Sequence, residues 1–402
     1  MLSDNNKKLY RKCAVCSCEY GQIIHSQRFE MPQDYTLPRS YDLICCKECG
    51  FVFADADANQ KDYEKYYETN SIYESKEVSI GGSCPWDIKR YERIASDLSN
   101  ILSDRKAKIL DIGCANGGLL TILKNRGYFN LSGLDPSPVC AANTKQLGFN
   151  AYQASLFSDL FMSHTISSDH DCIVFSHILE HVFDINGSLE RALSKLKKNG
   201  LLYLEVPDAA EYINYYKAPF YFFENEHINH FDKNSLTNLL KKFNLNTIVS
   251  GKKSIESSTT DRYPAIFGIY EKSGLDNKDQ EIAPDFTLRD SLVDYIEKSK
   301  SDPIFKKISE VAESGESIMI WGAGNHSFKL LANSDLGRCN IAGFIDKDIK
   351  KQGKRLNNYA VFSPDKLLGH KGSIAISSVM HSNDIVDEIK AMGLNNRIIV
   401  LK

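Results

Sequence analysis

The chain has 402 residues, of which 42% are hydrophobic and 25% are charged. These are the proportions of an ordinary globular protein, and the length predicts two or three domains. The formal net charge of -3 and the lack of a long basic run give no indication of nucleic-acid binding. No apolar run approaches the ~18 residues that span a bilayer, and the N-terminus lacks the apolar core of a signal peptide. We therefore expect no membrane span and a cytoplasmic location.

Two Cys-x-x-Cys pairs lie near the start of the chain, Cys13 with Cys16 and Cys46 with Cys49. Each pair can place two sulfur atoms on one ion, and two pairs complete a tetrahedral thiolate site. Cysteines of a cytoplasmic chain are expected to be thiols or metal ligands. The spacing therefore predicts a structural Zn²⁺ ion that folds a small domain and does no chemistry, because a closed site has no open position. Free buried thiols and a redox pair are the alternatives.

The next segment, residues 55–73, is acidic and rich in tyrosine. The pattern fits an amphipathic linker helix that is anchored by aromatic side chains. It fits equally well a lid over an active site, with one tyrosine hydroxyl, such as that of Tyr73, facing the substrate. A further helix is predicted at residues 87–102 and leads into the central part of the chain.

Residues 108–120 predict a buried strand that ends at Asp111, a glycine turn and the start of a helix. Gly113 lets the backbone approach a ligand where a side chain would block it. Asp135 ends the next predicted strand, and a carboxylate in that place can accept both hydroxyls of a ribose. The pattern is Asp-x-Gly-x-x-x-Gly and not Gly-x-Gly-x-x-Gly, which argues against a dinucleotide. A Rossmann-type turn for some other nucleotide is the alternative.

This stretch resembles the cofactor loop of class I S-adenosylmethionine-dependent methyltransferases. The resemblance implies S-adenosyl-L-methionine as the cofactor, with its methionine end at the glycine turn, its ribose at the acid of the second strand and its adenine after the third strand. The positions that the resemblance assigns to the cofactor are Asp111, Gly113, Cys114, Asn116, Gly117, Asp135, Pro136, Ser155, Leu156, Ser176 and His177.

Strands and helices alternate through the rest of the central region, which predicts a parallel sheet with helices on both faces. The pattern predicts a helix over residues 187–198 that stops at Gly200, followed by a fifth strand at residues 201–206. The last two predicted strands, residues 246–250 and 264–270, are expected to be antiparallel. Such a terminal pair again resembles the class I methyltransferase fold.

Two histidine-containing segments follow strands of the predicted sheet. Residues 177–181, within Phe-Ser-His-x-Leu-Glu-His, resemble a motif that closes the cofactor site in one branch of these enzymes. After the fifth strand come Glu226 and His227, with His230 nearby. Histidine is the natural base at neutral pH, and an adjacent glutamate can raise its pKa. We therefore predict that Glu226 and His227 are catalytic; histidines that only pack or cap are the alternative in both segments.

The last third of the chain predicts a second α/β unit. Residues 283–313 are mostly helical and form a connector, and a strand then leads into a turn with Gly322 and Gly324. The following strand ends at Asp346. The turn approaches Gly-x-Gly-x-x-Gly, but Ser327 replaces the third glycine, which weakens the case for NAD.

The whole layout resembles the three-part sugar C-methyltransferases, which act on deoxysugars carried by a nucleoside diphosphate. The resemblance implies a zinc-binding domain and tyrosine-rich linker at residues 1–80, a methyltransferase domain at residues 81–272 and a Rossmann-like, substrate-clasping domain at residues 273–402. The family's Glu-His base is matched by Glu226 and His227. The implied protein is an α/β methyltransferase that binds S-adenosyl-L-methionine, Zn²⁺ and a nucleotide-sugar, as a monomer or homodimer.

Two departures from the family concern the acceptor. The family usually has a tyrosine two residues before the glutamate, where this chain has Glu224, so the function of that hydroxyl is lost or comes from elsewhere, such as Tyr73 or Tyr221. The family's His-Gly-Gly-Ser before the last strand is replaced by Asp-Arg-Tyr-Pro at residues 261–264. We expect C-methylation of a keto-sugar, and O-methylation of a related sugar or surface glycan precursor stays open. An NAD-dependent sugar-nucleotide oxidoreductase is the more distant alternative.

Overall fold

The computed structural model describes residues 6–32, 35–70, 84–258, 261–273 and 281–402. Three sheets occur in this part of the chain, one near the N-terminus, one in the middle and one near the C-terminus. Helices accompany the second and third sheets, which confirms the predicted α/β class. No helix within these ranges is long and apolar enough to pass through a lipid bilayer.

The N-terminal sheet has five antiparallel strands in the order β1-β2-β3-β4-β10. The strands are β1 (Asn6–Lys8), β2 (Tyr20–Arg28), β3 (Ser40–Cys46), β4 (Val52–Asp55) and β10 (Asn229–His230). The last of these comes from the middle of the chain, and it pairs with β4 through Asn229 opposite Phe53. Helix α1 (Gln60–Asn70) follows the sheet. The N-terminal sheet is therefore completed only by a segment of the central region.

The central sheet has seven strands in the order β11-β12-β9-β8-β5-β6-β7, which all run in one direction except β12, the strand antiparallel to both of its neighbours. Its elements are α2 (Pro85–Ile101), β5 (Lys108–Ile112), α3 (Gly118–Asn125), β6 (Asn130–Asp135), α4 (Pro138–Gln146), β7 (Asn150–Gln153), α5 (Asp159–Met162), β8 (His170–Ser176), α6 (Ile185–Ser194), β9 (Leu196–Pro207), α7 (Lys233–Lys241), β11 (Leu245–Glu256) and β12 (Arg262–Lys272). The apolar middle strands are buried on both faces. The antiparallel terminal pair was correctly predicted, and the carboxyl ends of the parallel strands share one edge.

The predicted boundary between α6 and β9 was wrong. The helix ends at Ser194 and β9 begins at Leu196, so residues of the predicted helix lie in a strand. Leu196 is buried and lies opposite His170 of β8. Pairing with a neighbouring strand thus overrides the local helical pattern, because strand formation depends on partners that are distant in sequence.

The C-terminal sheet has six strands in the order β15-β16-β14-β13-β17-β18, of which only β15 is antiparallel to its neighbour. Its elements are α8 (Thr287–Lys300), α9 (Ile304–Ser314), β13 (Ser317–Trp321), α10 (Asn325–Asn333), β14 (Asn340–Ile345), β15 (Arg355–Leu356), β16 (Tyr359–Phe362), β17 (Ser373–Ile376), α11 (Ser382–Ala391) and β18 (Ile398–Val400). The second α/β unit and its helical connector are confirmed.

Residues 208–231, which we call the bridging segment, hold the three sheets together. One hydrophobic core includes side chains from this segment, from the N-terminal sheet and from the C-terminal unit. His25 of β2 stacks on Phe220, with 4.6 Å between the ring centroids, and Phe223 packs edge-on against Tyr295 of α8 at 5.3 Å. The loop that follows the fifth parallel strand is therefore fixed from two sides by other parts of the chain.

Arg11 ties the N-terminal sheet to the bridging segment by hydrogen bonds. Its guanidinium group donates to the backbone oxygens of Ala54, Phe183 and Ile228 and to Oδ1 of Asn229, over distances of 2.8 to 3.0 Å. These acceptors belong to three separate stretches of sequence. A single side chain thus joins acceptors from three separate parts of the chain.

We expect Arg11→Leu to lower the free energy of unfolding by about 3 kcal/mol, because several buried acceptors lose their donor at once. Urea denaturation followed by circular dichroism would measure the change. Lys12→Ala is the matched control, since this neighbouring cation forms only an exposed ion pair with Glu19 and should leave stability unchanged. Equal stability of the two variants would contradict the role assigned to Arg11.

Candidate active site

The glycine turn after β5 lies at the carboxyl edge of the central sheet. Gly113 has φ +71°, and a Cβ atom there would lie 2.2 Å from Cδ1 of Ile178. The amide groups of Gly113 and Cys114 both donate to the backbone oxygen of Leu134, at 2.7 and 3.0 Å. The turn therefore requires glycine both for its backbone conformation and for the close approach of the neighbouring loop.

Two aspartates flank this turn at the ends of β5 and β6. Asp135 accepts hydrogen bonds from the backbone amides of Ala115 (2.8 Å) and Ser137 (2.9 Å), which fix its carboxylate at the edge of the sheet. Asp111 is 5% exposed, and burial raises its pKa to about 8, with Arg90 opposing and Asp135 adding to the shift. A cationic ligand at this edge would favour the ionised form of Asp111.

A cavity of about 600 Å³ opens at this edge and reaches the bridging segment. The predicted site residues that line it are Asp111, Gly113, Cys114, Asp135, Pro136, Ser155, Leu156, Ser176, His177, Glu226 and His227. Asn116 and Gly117 are not among the lining residues: Oδ1 of Asn116 accepts a hydrogen bond from Asn143, and Gly117 begins α3 with φ +77°. Tyr73 lies outside the described residues.

Helix α1 forms one wall of the cavity. The tyrosine-rich segment therefore does both things predicted for it: some of its side chains pack in the core and others line the cavity. Tyr66 is buried and donates to Oε1 of Glu226 at 2.7 Å, and its hydroxyl is 2.9 Å from that of Tyr35. Burial raises the pKa of Glu226 to about 7, against the effect of the Tyr66 hydrogen bond. Glu64 accepts a hydrogen bond from the hydroxyl of Ser155. The helix therefore contacts both the predicted adenine position and the predicted base.

His177 lines the cavity and belongs to a row of charged side chains that continues into the protein through Glu205 and Lys253. Its Nδ1 is 2.9 Å from Oε1 of Glu180, and its Nε2 is 3.3 Å from the hydroxyl of Tyr263 and 3.5 Å from Oε1 of Glu205. Burial alone would lower the pKa of His177, but its bonds to the two glutamates outweigh burial and raise it. Lys253 pairs with the far side of Glu205 at 2.9 Å. His177 thus lies between two carboxylates that favour its protonated form.

His181 and His227 meet in the wall of the cavity, with their ring centroids 4.6 Å apart. Nδ1 of His181 is 2.8 Å from the hydroxyl of Tyr67 and 3.2 Å from the backbone oxygen of Glu226. Burial lowers the pKa of His181 to about 3, so this ring is neutral. The two histidine segments that the sequence singled out therefore form one group.

The sequence analysis did not assign several residues that line this cavity, among them Gln60, Glu64, Tyr67, Lys217 and Asn325. Gln60, Glu64 and Tyr67 follow the i, i+4, i+7 spacing of one helix face, and this spacing was available in the sequence. Lys217 and Asn325 come from the bridging segment and from the start of α10. Their approach to the central sheet depends on how the domains pack.

Residues 86–250 match the protein family described as a methyltransferase domain. The central domain is a methyltransferase domain. Residues 314–400 match a second family, described as C2185-like, N-terminal. No curated protein matches the chain.

Solved structures similar to the methyltransferase domain share little sequence with it. The 1,6-didemethyltoxoflavin-N1-methyltransferase of Burkholderia thailandensis, solved with S-adenosylhomocysteine, is 14% identical over 56% of this chain and 97% of its own, with a TM-score of 0.41. Magnesium protoporphyrin IX methyltransferase of Synechocystis, solved with S-adenosylmethionine, is 13% identical over 54% of this chain and 99% of its own, with a TM-score of 0.37. Similarity at this level says nothing about the substrate of this chain.

We expect Gly113→Ala to weaken binding of S-adenosylmethionine to the methyltransferase domain by at least about tenfold, because the new methyl group would displace Ile178 and strain a left-handed residue. Isothermal titration calorimetry would measure the affinity. Gly148→Ala is the matched control: Gly148 has φ +86°, but a Cβ atom there meets nothing within 4 Å. The control should lose a similar amount of stability and keep its affinity; equal affinities in both variants would contradict the role of the turn.

The N-terminal cysteines satisfy the geometry of a zinc site. The sulfur atoms of Cys13 and Cys49 are 3.5 Å apart, those of Cys16 and Cys46 are 3.4 Å apart, and all four lie within 4.8 Å of one another. A disulfide would need about 2 Å, whereas Zn–S bonds of about 2.3 Å in a tetrahedron separate sulfurs by about 3.8 Å. The four cysteines are therefore compatible with one Zn²⁺ ion.

The C-terminal unit repeats the turn geometry of the methyltransferase domain. The amide of Gly322 donates to the backbone oxygen of Ile345 at 2.8 Å, and the amide of Ala323 donates to Oδ2 of Asp346 at 3.0 Å. Asn325, the first residue of α10, lines the central cavity. The start of α10, which directly follows this glycine turn, thus reaches the central cavity.

Proposed function

We propose that the protein transfers a methyl group from S-adenosylmethionine to a nucleotide-linked sugar. The main support is that the glycine turn, its two aspartates, Glu226 and His227 all line one cavity of about 600 Å³. The family match of residues 86–250 supports the reaction class. The acceptor class is supported by the resemblance of the three-part layout and of the Glu-His pair to the sugar C-methyltransferases.

The donor end of the cavity is built for S-adenosylmethionine. This cofactor supplies a methyl group on a positively charged sulfonium, so the protein chiefly has to align donor and acceptor. Asp135 is placed to accept the ribose hydroxyls, and Ser155 and Leu156 flank the adenine position. The turn at Gly113 and the buried Asp111 hold the methionine end, where the positive charge of the ligand offsets the burial of the carboxylate.

At the other end of the cavity, the side chains must remove one proton from the acceptor. Glu226 and His227 take it from the carbon next to the carbonyl of a keto-sugar, or from a hydroxyl if oxygen is methylated. Glu224 stands where the family has its tyrosine. Glu224 and Tyr221 both line the cavity. The departures from the family are therefore concentrated where the acceptor binds, and they bear on the choice between carbon and oxygen.

The extent of the cavity supports a long acceptor. It runs from the central sheet to Lys217 of the bridging segment and to Asn325 of α10. A sugar near Glu226 and His227 would leave its nucleotide to extend toward the C-terminal unit. We further propose that Cys13, Cys16, Cys46 and Cys49 hold a structural Zn²⁺ ion, because their sulfurs already approach tetrahedral spacing.

The proposal is tested with the purified full chain, S-adenosylmethionine carrying a labelled methyl group, and a panel of nucleoside-diphosphate sugars with and without a keto group. Mass spectrometry should find one labelled methyl group on a nucleotide-linked sugar, and NMR should locate it on carbon or on oxygen. The matched free sugars are the control and should not react. Binding of NAD with no response to S-adenosylmethionine would contradict the reaction class, and transfer only to molecules without a nucleotide would contradict the acceptor.

A further inference from the structure

A second constellation lies beside the base in the same cavity. Glu180, His181 and His227 each offer one metal-ligating atom, and these atoms lie within 4.8 Å of one another. All three residues line the cavity. Glu180 and His181 follow β8, whereas His227 belongs to the bridging segment, so tertiary packing and not local sequence brings the three together.

The carboxylate of this group has an uncommitted oxygen. Glu180 is 1% exposed, and its Oε1 is engaged by His177 at 2.9 Å. Its Oε2 is buried and has no hydrogen-bond partner among the described residues. A buried acceptor without a partner destabilises the folded protein, so an unpaired oxygen in a cavity of this kind suggests a ligand.

Each of the two imidazoles also has a ring nitrogen without a hydrogen-bond partner among the described residues, and this nitrogen could coordinate a metal ion. On His181 the described hydrogen bonds all involve Nδ1, which faces the hydroxyl of Tyr67 and the backbone oxygen of Glu226. Metal-binding histidines usually use one ring nitrogen in this way and coordinate through the other. In the part of the chain that the structure describes, neither ring nitrogen of His227 has a hydrogen-bond partner.

We propose that Glu180, His181 and His227 bind one divalent first-row transition-metal cation that also contacts an oxygen of the acceptor. Two imidazoles and one carboxylate suit cations such as Mn²⁺, Fe²⁺, Co²⁺ and Zn²⁺, and three protein ligands leave coordination positions open. Such a cation draws electron density from a carbonyl or hydroxyl oxygen. With His227 as a ligand, Glu226 is the member of the base pair that takes the proton. Only the identity of the acceptor rests on the proposed function.

The surroundings of the three ligands orient them as the outer ligands of metal sites do. His177 holds Glu180 and is itself held by Glu205 and Tyr263. The backbone oxygen of Glu226 fixes the ring of His181. A metal ion at this place would also account for the unpaired Oε2 of Glu180, the carboxylate at which the row of charges from Lys253 through Glu205 and His177 ends.

The test is a titration of the full chain with Mn²⁺, monitored by electron paramagnetic resonance after the four-cysteine site has been filled with stoichiometric Zn²⁺ and all excess Zn²⁺ has been removed, so that the proposed site is left open. Thiolate sites disfavour Mn²⁺, so the two sites are distinguished. We expect one saturable Mn²⁺ per chain, with affinity reduced on the order of 100-fold in His227→Ala and in His181→Ala. Glu224→Gln is the matched control, because Glu224 lines the same cavity outside the constellation and its loss should leave Mn²⁺ affinity unchanged.

His227→Ala is the decisive variant, since His227 is only partly buried, and its affinity for S-adenosylmethionine checks that it is folded. A nucleotide-linked sugar should also alter the spectrum of the bound Mn²⁺ in the unsubstituted protein. Absence of a saturable site, or equal Mn²⁺ affinity in His227→Ala, would overturn the proposal while leaving the methyltransferase function intact. Saturable binding that is lost in the variants, without methylation of any nucleotide-linked sugar, would support the metal site and reject the proposed acceptor.

Discussion

Cys46→Ser should abolish zinc binding and unfold the N-terminal sheet. Cys46 ends β3, and its sulfur lies 3.4 Å from that of Cys16, so serine removes one of four converging ligands. Zinc contributes about 10–16 kcal/mol in small domains that fold around it, which equals or exceeds the total stability of an ordinary domain, about 5–15 kcal/mol. Metal analysis should fall from about one zinc per chain to none, and limited proteolysis should cut within the first 55 residues.

The same substitution should also stop methyl transfer, although the cysteines lie outside the cavity. Strand β4 pairs with β10, which directly follows Glu226 and His227, so loss of the sheet releases the proposed base. Cys18→Ser is the matched control: Cys18 lies two residues after Cys16 but outside the four-cysteine cluster, and this variant should keep both zinc and activity. A folded, active Cys46→Ser protein without zinc would refute the structural role of the metal.

Glu226→Gln should lower the turnover number by about 10²- to 10⁴-fold, the range expected when a general base is removed. Glutamine has nearly the same shape, and its amide oxygen can still accept the hydrogen bond from Tyr66. Because the proposed donor contacts are made by Asp111, Gly113 and Asp135 and not by Glu226, the affinity for S-adenosylmethionine should not change. Steady-state kinetics with a nucleotide-linked acceptor, together with calorimetry for the donor, separates the two effects.

Tyr66→Phe provides the graded comparison for this experiment. It removes only the hydroxyl that donates to Glu226 and contacts Tyr35, so we expect a smaller loss of turnover, about tenfold, with donor affinity retained. Unchanged turnover in Glu226→Gln would remove this carboxyl group from the reaction. A loss in Tyr66→Phe as large as that in Glu226→Gln would indicate a structural effect of α1 and not loss of the base.

The geometry of the glycine turn and its two aspartates could be predicted from the sequence because its parts are local. Asp111, Gly113 and Asp135 lie on two consecutive strands and the turn between them, and a parallel sheet places the ends of such strands side by side. The spacing of the glycine and the two acids in the sequence is therefore enough to predict that they lie close together at the edge of the sheet. The fold of the central domain follows from the same alternation of strands and helices.

The surroundings of Glu226 and His227 could not be predicted in this way, because their contacts join residues that are far apart in sequence. Tyr66 and Glu226 are separated by 160 positions, and Arg11 and Ile228 by 217. The sequence patterns within α1 and within the bridging segment do not predict which residues of the two segments contact each other. The identity of Glu226 and His227 was suggested by family resemblance, but their neighbours depend on domain packing.

The pairing of β4 with β10 has a consequence for protein engineering. A chimaera cut near residue 81 would divide a continuous ladder of backbone hydrogen bonds and expose the edge of β4, which invites association with other chains. Acceptor specificity would therefore have to be exchanged as one unit, with the N-terminal sheet and the bridging segment moved together. Residues 86–250 match the family as a continuous block, but the unit that can be transplanted is discontinuous.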